Sequence, residues 1–168
     1  RHSVGYTAEI SSEAARSDFR PLGNAGWLDV APPTGLHQKD ETISKENSIL
    51  TGVPILDGKL GYFNLHGLVD SNEWYGHRDP ACTHNCPDYP VALCPDQIPH
   101  PSGKGSIPRI VFSEACYGMN IRNRTVDEAI SLKLLESGTL AIAGSTSMSY
   151  GSIDARPMMA ADLLGHAF

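Results

Sequence analysis

The chain has 168 residues, of which 40% are hydrophobic and 19% are charged, and its formal net charge is −6. This length suits a single domain, and this hydrophobic content supports a folded core rather than disorder. The acidic balance without a basic stripe excludes a nucleic-acid partner, and no apolar run is long enough for membrane insertion. We expect one domain over residues 1–168.

The sequence pattern of residues 1–57 predicts one strand followed by irregular loops. Residues 3–10 (SVGYTAEI) alternate like a strand, whereas the following residues are rich in turn formers, apart from a short apolar stretch at 48–56. The chain opens without an initiating methionine or a signal-peptide pattern and closes within a helix-like segment. We therefore read it as a fragment of a longer, processed precursor, which leaves its localisation open.

The core elements are predicted within residues 58–168. They are, in chain order, strands at 58–67 (GKLGYFNLHG) and 109–116 (RIVFSEAC), a helix at 125–138, a strand at 139–146 and a helix at 155–168. Thr125 and Glu128 form a capping box at the start of the first helix, and Gly138 ends it. The alternation of strands and helices predicts an α/β fold, in which a mostly parallel sheet is flanked by helices.

The first two core strands are separated by an insertion, residues 68–108, which holds seven of the twelve prolines. A connection of this length without regular structure is usually functional or disordered. Cys82 and Cys86 have the spacing of a structural zinc pair, and Cys94 with a histidine of the insertion would complete the site. The alternatives are a disulfide from Cys94 to Cys82 or Cys86, and free thiols. A weaker alternative is calcium bound by three carboxylates: Asp70, Glu73 and Asp79.

Reactive side chains follow the ends of three predicted strands. His66–Gly67 ends the first, Ala115–Cys116 the second, and the segment 144–151 (GSTSMSYG) the third. In open α/β sheets, sites form beyond the carboxyl ends of the strands, so these segments meet if their strands are neighbours. An imidazole beside a thiol makes the thiol a better nucleophile, and the backbone N–H groups of Gly67 and Cys116 would serve a developing oxyanion.

The alternative interpretation is structural. A cysteine in an apolar strand is commonly an inert buried residue, and a histidine at a strand end is commonly a surface or capping residue. The paired placement of His66 and Cys116, each beside a small residue, favours the catalytic interpretation over the structural one.

The motifs NLHG and SEACYG, each closing a hydrophobic block, resemble the His–Gly and Ala–Cys motifs of the clan CD cysteine peptidases. This superfamily includes caspases, legumain, clostripain and gingipains, and the segment from SEACYG onward is most similar to the gingipain-like branch. In caspases the histidine lies about 50 residues before the cysteine, a spacing that His66 and Cys116 share. The resemblance implies a caspase-like, three-layer α/β/α fold and endopeptidase activity that requires no cofactor.

The resemblance also implies roles for individual residues. Cys116 would be the nucleophile that forms the acyl-enzyme, His66 the general acid that protonates the leaving amine, and Gly67 a donor to the oxyanion. The pocket for the substrate side chain before the cut would be lined by Glu114 and by four residues that follow the helix: Ser145, Thr146, Ser147 and Tyr150. Trp74 is a further, aromatic candidate for this pocket. Glu114 would favour arginine or lysine there, unless it faces away and pairs with a nearby arginine.

The expected partner is therefore a peptide or protein substrate, together with the remainder of a processed precursor. Two other functions fit the same residues. One is a metal-stabilised binding module built on residues 77–100, with Cys116 as core packing, and the other is a catalytically inactive peptidase homologue. Labelling of Cys116 by a peptidyl electrophile would favour the peptidase, and stoichiometric zinc with an unreactive Cys116 would favour the module.

Overall fold

The structure is a computed structural model. It describes the backbone of residues 3–7 and residues 59–78, 83, 85, 87–89, 91–100 and 107–150 in full. The predicted elements at 48–56 and 155–168 lie outside the described residues, as do three candidate metal ligands, Asp79, Cys82 and Cys86. In the described part of the chain, no helix has the length and apolar character needed to cross a bilayer.

Seven strands form two sheets in the described residues. In chain order they are β1 (Ser3–Thr7), β2 (Leu60–Asn64), β3 (His66–Gly67), β4 (Trp74–Tyr75), β5 (Val91–Leu93), β6 (Ile110–Ser113) and β7 (Ala141–Gly144). The main sheet is parallel throughout and has the order β1-β2-β6-β7. The smaller sheet is antiparallel and has the order β3-β4-β5. The predicted mostly parallel sheet is therefore confirmed for this part of the chain, which has α/β character.

The strand predicted over 58–67 is in fact two strands in two sheets. β2 ends at Asn64. Just after the end of β6, the N–H of Glu114 donates to the Phe63 carbonyl of β2 at 2.9 Å. His66 and Gly67 then leave the main sheet and pair with Tyr75 and Trp74. The continuous apolar pattern concealed this change of partner, because residues 61–65 and 67 are all buried.

The helix predicted over 125–138 begins later than its capping box suggests. Thr125 donates both its N–H and its hydroxyl to the Glu128 carboxylate at 2.8 Å, but this box closes a 3₁₀ turn over Val126–Glu128. Ala129 is extended, and α1 covers only Ile130–Glu136. In a continuous helix the Glu128 carbonyl would accept a hydrogen bond from the N–H four residues later. Here it accepts one from the Arg124 side chain instead.

The end of α1 matches the prediction. Gly138 has a φ of +112°, in the region that favours glycine, and its N–H donates to the carbonyl of Leu135. The helix packs on the sheet through Ile130 and Leu134, which are buried with Val111 in the hydrophobic core. This packing fixes β6, and therefore the residues that follow it, against the helix.

Candidate functional site

The three strands that precede the predicted site residues are adjacent in the main sheet, in the order β2-β6-β7. Leu60 pairs with Ile110 and Phe63 with Ser113, so residues of β2 face residues numbered 50 higher in β6. His66 and Cys116 share that offset and follow the ends of the two strands. The 50-residue spacing seen in the sequence is thus the register of the sheet, and it brings both motifs to one edge.

Gly67 lies directly against Cys116. A Cβ atom built on Gly67 would be 1.9 Å from the Cys116 carbonyl oxygen and 3.0 Å from its carbonyl carbon. No other residue type fits this position without a backbone shift, since the obstructing atoms belong to the main chain. The glycine of the His–Gly motif therefore permits the close approach of the two motifs.

Cys116 occupies a tight turn that follows β6. The Gly118 N–H donates to the Ala115 carbonyl at 3.0 Å, and Tyr117 between them has a φ of +57°. A positive φ is unfavourable for a large side chain, and such strained residues cluster at functional sites. The turn leaves Cys116 only partly buried, in contrast to Ala115 before it.

The segment Ser145–Tyr150, predicted to line a pocket, packs against this turn. The Tyr117 N–H donates to the Ser147 carbonyl at 2.8 Å. The Cys116 thiol donates to the Ser149 carbonyl at 3.2 Å, and the Ser149 N–H lies 3.3 Å from the sulfur. Ser149 was not singled out from the sequence, because its contacts are made by its backbone and no side-chain pattern reports them.

His66 forms a pair with a second histidine. Its Nε2 atom is 3.1 Å from Nδ1 of His77, and the edge of the Tyr89 ring approaches it with centroids 5.1 Å apart. Burial, and then the nearby His77, lower the pKa of His66 below its ordinary value of 6.5. At neutral pH the His66 imidazole is therefore uncharged.

The small sheet explains how His77 reaches His66. His66 pairs with Tyr75 in β4, and His77 follows that strand by two residues, so the hairpin brings His77 beside His66. Sequence reasoning placed His77 in the cysteine-rich loop and missed this contact. No sequence pattern marks this contact, because β3 and β4 have only two residues each.

Two of the predicted substrate-binding residues are buried. Glu114 is 6% exposed, and its carboxylate accepts a hydrogen bond of 2.5 Å from the Tyr62 hydroxyl. Trp74 is 4% exposed and packs against Phe63, with ring centroids 5.4 Å apart. Trp74 is thus a core residue in the structure. Glu114 occupies an interior position two residues before Cys116, and its role in a pocket stays a prediction.

The loop that follows His66–Gly67 is held by Arg124. The guanidinium donates to the carbonyls of Val69 and Ser71 at 2.7 and 2.8 Å, and to the Asn72 side chain and the Glu128 carbonyl at 2.9 Å each. One side chain therefore ties the loop after the histidine to the chain that precedes α1.

We expect Arg124→Met to lower the free energy of unfolding by about 2–3 kcal/mol, because it removes hydrogen bonds from a charged donor while keeping the apolar stem. Chemical denaturation followed by tryptophan fluorescence measures this change. Arg122→Met, which alters an exposed arginine two residues earlier, is the matched control. Equal stability of the two variants would show that Arg124 has no special part in holding the loop.

Cys94 is a free thiol in this structure. Burial, with the carboxylates of Glu73 and Asp96 nearby, raises the pKa of Cys94 to about 11, so it is not a reactive thiolate at neutral pH. The Glu73 carboxylate accepts hydrogen bonds from Tyr75 and Ser71. In the described parts of the insertion and core, no three potential ligands are grouped around a common metal position. Zinc and calcium stay predictions, since Cys82, Cys86 and Asp79 lie outside those parts.

No family model, curated protein or solved structure matches this chain.

Proposed function

We propose that the protein is a cysteine endopeptidase of the clan CD type, with Cys116 as nucleophile and His66 as the general acid. The observation that carries this proposal is the close contact of Gly67 with the Cys116 carbonyl, just beyond the ends of the adjacent parallel strands β2 and β6. It joins the His–Gly motif to the Ala–Cys motif at the sheet edge where α/β sites form. The complete catalytic domain would then have a caspase-like, three-layer fold.

The reaction begins with a neutral His66 imidazole, because the pKa of His66 is lowered by burial and by His77. The thiol proton of Cys116 moves to the His66 imidazole, and the sulfur forms a bond to the scissile carbonyl carbon. When the carbon–nitrogen bond breaks, His66 returns the proton to the leaving amine and an acyl-enzyme remains. Water then hydrolyses the thioester, and its proton restores the thiol.

Two features support Cys116 as the attacking group rather than as core packing. The turn at Tyr117 leaves Cys116 only partly buried beyond the sheet edge, and the Ser149 N–H at 3.3 Å would stabilise a thiolate there. The backbone of Gly67, beside Cys116, is the proposed donor to the oxyanion, which preorganised N–H groups stabilise strongly. Catalysis by these groups needs no metal or cofactor.

We propose that the enzyme prefers arginine or lysine before the cut. Glu114 lies two residues before Cys116, and the Tyr62 hydroxyl orients its carboxylate. A carboxylate at this position would favour a cationic substrate side chain by charge complementarity. Ser145, Thr146, Ser147 and Tyr150 would form the wall of this pocket, and the substrate would be a peptide or an unfolded segment of a protein.

Covalent labelling tests this proposal directly. We expect a peptidyl-arginyl chloromethyl ketone to add to the Cys116 sulfur at one equivalent per chain, mapped by tandem mass spectrometry. Cys94 serves as an internal control, because its pKa of about 11 keeps it protonated and unreactive at neutral pH.

Two comparisons make the labelling specific. His66→Ala should slow the reaction at Cys116, and a reagent with glutamate in place of arginine should react far more slowly than the arginyl reagent. Equal labelling of all four cysteines, or none at Cys116, would contradict the proposed nucleophile. Stoichiometric zinc together with an unreactive Cys116 would favour the metal-stabilised binding module instead.

A further inference from the structure

We infer that His77 is a positioning residue for His66: its Nδ1 atom holds the Nε2 side of the His66 ring and leaves Nδ1 of His66 as the atom that exchanges the proton. This inference rests on the proposed function and adds to it a second imidazole that the motif resemblance does not include. It is carried by the geometry of three neighbouring rings, those of His66, His77 and Tyr89.

The contact distance assigns the free nitrogen of His66. Nε2 of His66 is 3.1 Å from Nδ1 of His77, which is hydrogen-bond distance for two imidazole rings. A ring nitrogen engaged in this way is not available to a substrate, so proton transfer falls to the other nitrogen. A partner on one nitrogen also selects the tautomer and the ring orientation of a histidine.

The Tyr89 ring encloses the pair from one side. It meets His66 edge-on at 5.1 Å and 78°, and it meets His77 edge-on at 5.8 Å and 84°. The backbone N–H of Arg78 donates to the Asp88 carbonyl at 2.8 Å, which holds the segment next to His77 against the segment next to Tyr89. The two imidazoles are therefore packed by residues from both sides of the insertion, which restricts rotation of the His66 ring.

The pair can accept one proton but resists a second. Two positive imidazolium rings at this distance would repel each other, so a second proton is disfavoured. The titratable groups in ring contact with His66 in the described chain are His77 and Tyr89. His77 lowers the pKa of His66, and the contact of 3.1 Å between the two rings fixes the orientation of the His66 ring.

The position of the contacting atom dictates the test variants. The amide of asparagine can occupy the place of a histidine Nδ1 atom, so His77→Asn keeps a hydrogen-bonding group without a charge. Phenylalanine keeps the ring and removes the hydrogen bond. His100→Phe is the control, since it replaces an exposed histidine of the same insertion.

Steady-state kinetics on an arginyl reporter give the first readout. We expect His77→Phe to lower kcat roughly tenfold with little change in KM, the upper range for loss of one hydrogen bond. His77→Asn should recover most of that loss. It should also move the acid limb of the kcat/KM profile to higher pH, because the charge that lowers the pKa of His66 is gone. Equal kcat values for His77→Phe and the His100→Phe control would overturn the inference.

Imidazole ¹⁵N resonances give a readout that is independent of activity. In a Cys116→Ala background, we expect His66 to populate one tautomer and to titrate below pH 6.5, and His77→Asn to raise its pKa. An unchanged titration of His66 in that variant would overturn the inference. A chain that shows the histidine coupling but no Cys116-dependent turnover would contradict the proposed function alone, so the two failures are distinguishable.

Discussion

Replacement of Cys116 by alanine is expected to abolish hydrolysis of an arginyl or lysyl peptide reporter, with a loss of about a thousandfold or more in kcat. Removal of a covalent nucleophile eliminates the acyl-enzyme route, and only binding and the oxyanion donors then contribute to the rate. The loss should appear in kcat rather than in KM, because the thiol acts on the reacting bond and not on the bound side chain.

His66→Ala is expected to produce a loss of the same order, and the double variant should be little worse than either single one. Groups that act as a unit in one chemical step show such strongly non-additive effects. The measurement is reporter hydrolysis under substrate saturation, with circular dichroism to establish that each variant is folded. Both side chains are only partly buried, so neither substitution should unfold the chain.

Cys94→Ala is the matched control for the cysteine substitution. Cys94 is also a free, partly buried thiol, but its raised pKa of about 11 removes it from chemistry at neutral pH. Its variant should retain the activity of the parent chain. Undiminished turnover in Cys116→Ala would exclude the proposed mechanism, and a loss in Cys94→Ala equal to that in Cys116→Ala would indicate structural damage rather than chemistry.

The placement of His66 and Cys116 at one sheet edge was predictable from the sequence, because it depends on strand ends alone. A hydrophobic strand shows itself by its apolar run, and in a parallel sheet all strands end on the same side. The three segments meet only if their strands are neighbours, and the structure has the order β2-β6-β7. The pattern also located Gly138 as the helix end, since few residues other than glycine adopt its φ of +112°.

The surroundings of the two residues were not predictable in the same way. His77 reaches His66 through a hairpin of two-residue strands, too short to produce a recognisable alternation. Ser149 reaches the Cys116 sulfur through backbone groups, which every residue possesses. Tyr117 adopts a positive φ that its side chain disfavours, so residue preference argued against the turn.

The helix boundary shows how a tertiary contact overrides a correct local signal. Thr125 and Glu128 form the predicted capping box, but the Arg124 side chain binds the Glu128 carbonyl that a continuous helix would use. That arginine also binds the loop after Gly67, fifty residues and more away in the sequence. No local pattern reports such a partner, and α1 is shorter than its propensity predicts for this reason.

Among glycine-to-alanine substitutions in the described part of the chain, Gly67→Ala is expected to lower activity the most. The added Cβ would lie 1.9 Å from the Cys116 carbonyl oxygen, so the two strand ends must separate. Overpacking of this kind costs about 1–3 kcal/mol of stability. A displacement of about 1 Å between the imidazole and the thiol lowers the rate by about a hundredfold, because the reacting groups lose their alignment.

Gly61→Ala is the matched control for this substitution. Gly61 lies in β2, the strand that precedes Gly67. Its added Cβ would lie 2.7 Å from the Pro108 side chain and would not touch the main chain of Cys116. Both variants should unfold at lower denaturant concentration than the parent, since both crowd a buried position. Only Gly67→Ala should lose Cys116 labelling and reporter turnover under conditions in which both are folded. Equal activity of the two variants would mean that the contact between Gly67 and Cys116 contributes to packing alone, and the proposed active site would then lose its main support.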